Sequence, residues 1–181
     1  MSTSTDECAE ALVDGLERGV RDRWESNALS GSPWPFLSIT ALGRVYQFLN
    51  KALEDELKRF GLSKPGYYVL TTLALTTQGR ARLSTLSRLV LMHATSVKLT
   101  VDQLESAGLV ERGPHPHDRR VTLVFITDAG RARVDEVHEA LDAPEGELAA
   151  FGGLHKDIFH AMQPARAAAG DMAFSPNDRM L

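Results

Sequence analysis

Residues 109–127 read LVERGPHPHDRRVTLVFIT. Two β-leaning runs, LVER and RVTLVFI, enclose Gly113, Pro114, His115, Pro116, His117, Asp118 and Arg119. A tight hairpin needs about two loop residues, so the pattern predicts strand 109–112, a long loop 113–119 and strand 120–126. Arg119 and Arg120 stand side by side at the return. Gly and Pro stiffen a loop that projects outward, which limits the entropy lost when it binds something. Asp118 is placed to hold one guanidinium through a charge-assisted hydrogen bond.

Working back from the hairpin, residues 83–108 read LSTLSRLVLMHATSVKLTVDQLESAG. Leu86, Leu89 and Val90 predict a short helix capped by Ser84. Val97, Val101 and Leu104 recur at i, i+4 and i+7 and predict a second helix, with His93 at its N-cap and Gly108 closing it. Only a tight turn at 91–94 separates them, which is a helix-turn-helix. The second helix carries a polar face of Thr95, Ser96, Lys98 and Gln103. Such side chains at a helix N-terminus donate to phosphates or to base edges in a major groove. An Arg-tipped hairpin directly after such a helix is the wing of a winged helix-turn-helix, with Arg119 and Arg120 reaching an adjacent minor groove.

The rest of the chain reads as helices. Leu12, Leu16, Val20 and Trp24 form a stripe over 7–24, broken by SGSPWP at 30–35. Residues 36–61 carry Leu42, Val45, Tyr46, Leu49, Leu53, Leu57 and Phe60, a stripe too rich for a helix on a monomer's surface. Ser63 and Pro65 start the next helix, whose buried side is Tyr67, Val69, Leu70 and Leu73. Thr127 and Asp128 cap a later helix bearing Val134, Val137 and Leu141, interrupted at Pro144. A last helix over 154–169 carries Ile158, Phe159 and Met162, with a kink expected at Pro164. The expected fold is mostly α with a small β-hairpin. Its parts are an N-terminal extension (1–35), a winged helix-turn-helix (63–127), flanking helices (36–62 and 128–170) and a loose tail (171–181).

Composition bounds the function. The chain has 181 residues and a formal charge of −4, which argues against indiscriminate nucleic-acid binding. Between residues 79 and 133, however, nine Lys and Arg face five Asp and Glu, a local basic footprint suited to phosphate. One cysteine, Cys8, excludes an internal disulfide framework and reads as an ordinary helix residue or a redox sensor. No apolar run approaches the ~18 residues of a membrane span. The start, MSTSTDECAE, fits neither a secretory signal nor a transit peptide, so the expected location is the cytoplasm. With no G-x-S-x-G, P-loop or dinucleotide fingerprint, neither an enzyme nor a cofactor is expected. His93, His115 and His117 suggest a zinc-responsive alternative, but H-x-H on a loop lacks a compact ligand set, and no metal site is assigned. A dimeric interaction module is a further alternative, one that leaves the wing unexplained.

LESAGLVERGPHPHDRRVTLVFITDAGR, residues 104–131, resembles the signature of the MarR family of bacterial transcriptional regulators. That pattern runs L-E-x-x-G-L-V-x-R, a D-x-R-R-like wing, and a strand ending in L-T-x-x-G. The resemblance implies a homodimeric, ligand-responsive repressor on a palindromic operator, dimerised through the helices that flank the winged domain. It places Thr95, Ser96 and Lys98 on the recognition helix, Arg119 and Arg120 on the wing, and Asp102 where a helix aspartate pairs with a wing arginine. Ala94 and Leu99 depart from it, since basic residues are frequent there. RDRW at 21–24 with the following Pro/Gly loop is similar to the N-terminally extended, urate-responsive branch. Trp24 and Arg112 match that branch's ligand residues, whereas Tyr68 and Thr100 replace its aspartate and second arginine. The resemblance implies a small aromatic or anionic effector near Trp24, Tyr67, Tyr68 and Arg112. Trp24 is read equally as core packing, and Arg112 equally as a brace for the hairpin.

Overall fold

The structure, a computed structural model, describes residues 15–115, 118–151 and 154–171. The chain divides into two compact units, 1–50 and 51–181. Cys8, Pro116 and His117, with the first half of the expected N-terminal helix and most of the expected tail, lie outside the described residues.

In the first unit, α1 (Gly15–Ser26) is followed by a Pro/Gly loop and by the opening turns of α2 (Trp34–Arg59), a helix that continues into the second unit. The Trp24 indole donates to the Gly31 carbonyl at 3.2 Å, and its ring lies 6.4 Å from that of Phe36. Arg21 stacks over Trp34. Leu37 is buried, while Ile39, Leu42, Val45 and Tyr46 stand exposed along α2.

The second unit contains the last turns of α2, then α3 (Lys64–Leu75), β1 (Arg80–Arg82), α4 (Leu83–Leu89), α5 (Ala94–Ser106), β2 (Val110–His115), β3 (Asp118–Ile126) and α6 (Asp128–Leu141). A 3₁₀ turn (Glu147–Phe151), α7 (Leu154–Ala161) and α8 (Gln163–Ala168) follow. The core joins Leu57 of α2, Val69, Leu70 and Leu73 of α3, Leu86 of α4, and Val97, Val101 and Leu104 of α5. Val124 of β3 and Val134 and Val137 of α6 complete it. The helical members are residues that the helical periodicities select.

Local chemistry sets the element ends. The Ser63 hydroxyl accepts from Gly66 N at 3.2 Å, and Pro65 sits in the first turn of α3, where no N–H is needed. His93 caps α5 through Nδ1, which accepts from Thr95 N at 3.3 Å. Gly108, at φ +72°, turns the chain out of α5, a conformation that favours glycine. The Thr127 hydroxyl works twice: it accepts from Gly130 N at 3.0 Å and donates to the Gly108 carbonyl at 2.8 Å.

Four expectations need correction. The hairpin loop is not seven residues long, because Gly113, Pro114 and His115 continue β2 and Asp118 and Arg119 already belong to β3. Proline fits there because β2 is an edge strand of a three-stranded antiparallel sheet ordered β1-β3-β2. A shift of register falls between Pro114 and His115. The third strand, β1, escapes the sequence reading because three residues, RAR, are too few for their alternation to mark a strand. Ser84 lies inside α4, and Arg82 takes the cap position without a capping side-chain bond. The C-terminal helix is two helices, which part at Met162 with Pro164 in the first turn of the second.

A methyl group at Gly130 would collide with the Leu109 carbonyl oxygen. Gly→Ala inside a helix ordinarily stabilises by about 1 kcal/mol. Here Gly130→Ala is expected to destabilise by about 1–3 kcal/mol, as overpacking does. Urea unfolding checks the sign.

Candidate nucleic-acid interface

One side of α5 faces the core: Val97, Thr100, Val101 and Leu104 are buried, and the Thr100 hydroxyl donates back to the Ser96 carbonyl at 2.9 Å. The opposite side exposes Thr95, Ser96, Lys98 and Gln103, all four residues that the sequence assigns to DNA contact on this helix. Leu99 and Asp102 share that surface. The His93 cap satisfies the N–H of Thr95, and the remaining first-turn N–H groups place the positive end of the helix dipole at the same end as Thr95 and Ser96.

The hairpin is fastened to this helix by Arg112. On β2, Arg112 pairs with Val124, and its side chain reaches both acidic residues of α5's second half. It donates to Asp102 Oδ1 at 2.6 Å and forms a short ion pair with Glu105, whose other carboxylate oxygen accepts from Arg112 N at 3.2 Å. The aspartate expected to pair with an arginine of the wing thus pairs with Arg112, at the wing's base. Two carboxylates that would repel phosphate beside the polar face are thereby countered by one guanidinium.

Further out, Gly113 leaves room for an aromatic ring. A Cβ there would come within 2.9 Å of Phe125, whose ring centre also lies 5.8 Å from the Arg80 guanidinium. Arg82 of β1 and His115 of β2 approach to 3.3 Å. Asp118, Arg119 and Arg120 open β3. Sequence reasoning did not find Arg80 and Arg82. The signal available was the alternation R-A-R, which puts both arginines on one face of a strand.

The residues expected at an effector site divide between the units. In the first unit, Trp24 lines an open apolar groove of about 560 Å³ with Leu16, Val20, Leu29 and Phe36. In the second, Tyr67 and Tyr68 adjoin on α3 with ring centres 5.7 Å apart, and His138 of α6 meets Tyr67 edge-on at 5.8 Å. Burial holds the Tyr67 phenol above its ordinary value of 10.0. Arg112 is committed to α5, as its alternative reading as a brace requires. Among the described residues no group of three or more His, Cys, Asp or Glu side chains is placed to hold a metal. His93 and His115 take the separate roles given above. No described helix is long and apolar enough to cross a membrane.

Comparison with known proteins follows this geometry. Residues 62–122 match the model of the MarR family. Sco5413, a MarR family transcriptional regulator from Streptomyces coelicolor, is 34% identical, with a TM-score of 0.67 over 78% of this chain and 99% of that one. The HTH-type transcriptional repressor IacR of Pseudomonas putida is 30% identical over 54% of this chain, and the match spans 58% of that repressor's length. A mutant of Escherichia coli MarR complexed with operator DNA has the same fold at 22% identity and a TM-score of 0.51, over 75% of this chain and 92% of that one.

Two measurements probe the site's construction. Arg112→Gln leaves two carboxylates without their counter-charge and is expected to lower stability by about 1–2 kcal/mol in urea unfolding. Asp102→Asn is expected to lose less, because Glu105 keeps its pair. A neutral phenol is the form favoured by folding at Tyr67. Its stabilisation is complete below pH 10.0 and lost as pH rises through the raised folded value. Thermal melts between about pH 9 and 12, flattened by Tyr67→Phe, are the expected signature.

Proposed function

Because the chain belongs to the MarR family, we propose that it is a transcriptional regulator acting on double-stranded DNA as a homodimer, a repressor released from a palindromic operator by a small aromatic or anionic ligand. The observation that carries DNA reading is the exposed polar face of α5 held by Arg112 against the base of an arginine-bearing hairpin. In this reading Thr95, Ser96, Lys98 and Gln103 meet the major groove. Arg119 and Arg120 enter the neighbouring minor groove, with Asp118 orienting one of them.

The exposed apolar row of Ile39, Leu42, Val45 and Tyr46 on α2, with Leu154 and Phe159 on α7, supports dimerisation. Residues 36–62 and 128–170 are the proposed dimerisation segments. Trp24, Tyr67, Tyr68 and Arg112 are the proposed effector residues. An anion held by Arg112 competes with Asp102 and Glu105, so occupancy loosens the hairpin from α5. That competition supplies a route from ligand to DNA release.

Fluorescence anisotropy on duplexes drawn from the DNA upstream of the gene tests the reading, with the particle mass followed by light scattering. Specific binding by a dimer is expected. Arg119→Ala/Arg120→Ala is expected to weaken it and to reduce the slope of log K against log salt by about one to two. A panel of aromatic carboxylates is expected to contain compounds that release the labelled duplex. Sequence-independent binding, or a salt slope unchanged in the double variant, refutes the assignment of the wing.

A further inference from the structure

On the outward face of α5 one large side chain has no hydrogen-bonding chemistry at all. Leu99 is 60% exposed, four residues after Thr95, three after Ser96 and four before Gln103. On a helix of 3.6 residues per turn these spacings make it the neighbour of all three. It lies at the centre of the polar face rather than at its margin. The core side of the helix is already filled by Val97, Val101 and Leu104, so Leu99 takes no part in folding the unit. Asp102, the next exposed residue along the face, has its charge countered by Arg112.

We propose that Leu99 determines operator sequence by packing on the 5-methyl group of a thymine. The inference rests on α5 entering a major groove, as proposed above. In that groove each base edge offers hydrogen-bond donors, acceptors or both, and thymine alone adds a methyl group. A leucine pressed against cytosine N4 or adenine N6 strands a donor away from water, which is unfavourable. Against thymine the same side chain covers a methyl group and removes apolar surface from water. Leu99 thus selects thymine and also rejects the bases that expose an amino group at that position. Thr95, Ser96, Lys98 and Gln103 read or anchor the flanking positions through hydrogen bonds.

Deoxyuridine scanning isolates the methyl group. Full-length protein first selects its operator from a randomised duplex library. Each thymine of the selected site is then replaced singly by deoxyuridine, which keeps every base pair and removes one methyl. At one thymine, repeated at its symmetry mate, replacement is expected to weaken wild-type binding about fourfold, the effect of losing one buried methyl. Leu99→Ala, an exposed position whose change leaves the core intact, is expected to bind the thymine site about as weakly. It is also expected to be indifferent to uracil there, while keeping wild-type responses at other positions. A Leu99→Ala variant with undiminished uracil sensitivity at every thymine overturns the proposal, as does a wild type indifferent to uracil throughout. Failure of the wild type to select any sequence is a different result: it removes the groove-reading premise along with the role of Leu99.

Discussion

The wing is a closed loop of chain, and the hydrogen bond that closes it organises everything around it. Thr127 and Gly108 lie nineteen residues apart in sequence and 2.8 Å apart in space. Between them the chain runs out along β2 and back along β3. The same Thr127 hydroxyl caps α6, and the Thr127 N–H donates to the Leu109 carbonyl at 3.1 Å. The end of one helix, both strands of the hairpin and the start of the next helix therefore meet at one point. Gly108 supplies the left-handed turn that reaches it, and Gly130 supplies the missing side chain that lets the Leu109 carbonyl approach. The hairpin is held as well by β1, which pairs with residues 123–125 of β3, and by the burial of Val110, Leu123 and Val124. Arg112 adds a link from the hairpin's base to the second half of α5.

Two tasks fall to α5, and its residues divide accordingly. Every third or fourth residue holds the core, and the others carry the exposed chemistry. Such a division makes the outward surface insensitive to the fold. Thr95, Ser96 and Leu99 are exposed and can change without disturbing the packing of Val97 and Val101. The basic balance of this part of the chain rests on the same arrangement. An overall charge of −4 is spread over a chain whose middle is basic, and within that middle the helix carboxylates are tied down by Arg112.

Much of this was legible in the residues. Apolar periodicity identified the core residues of α3, α5 and α6 because burial leaves a repeating mark that local sequence carries. Caps at Ser63, His93 and Thr127 were readable because capping is a contact over two or three residues. What escaped were features decided across long separations. β2 extends to His115 because residues 113–115 pair with β3, and β1 exists because residues 80–82 pair with residues 123–125. Neither strand advertises this locally. An arginine of the wing was expected beside Asp102, and which arginine it is, Arg112 on β2, is decided in three dimensions rather than by local spacing.

The three-stranded sheet has two open edges, and both are poor templates for another strand. β1 is three residues long with an arginine at each end. β2 offers Glu111, Arg112 and then Pro114, which has no N–H to donate, and its register breaks at the next residue. Short, charged or proline-bearing edges are what keep sheets from pairing edge to edge. The proline that first suggested a stiff loop thus serves a different end. It lets a hairpin stand out from the body of the protein without seeding aggregation with the hairpins of other molecules.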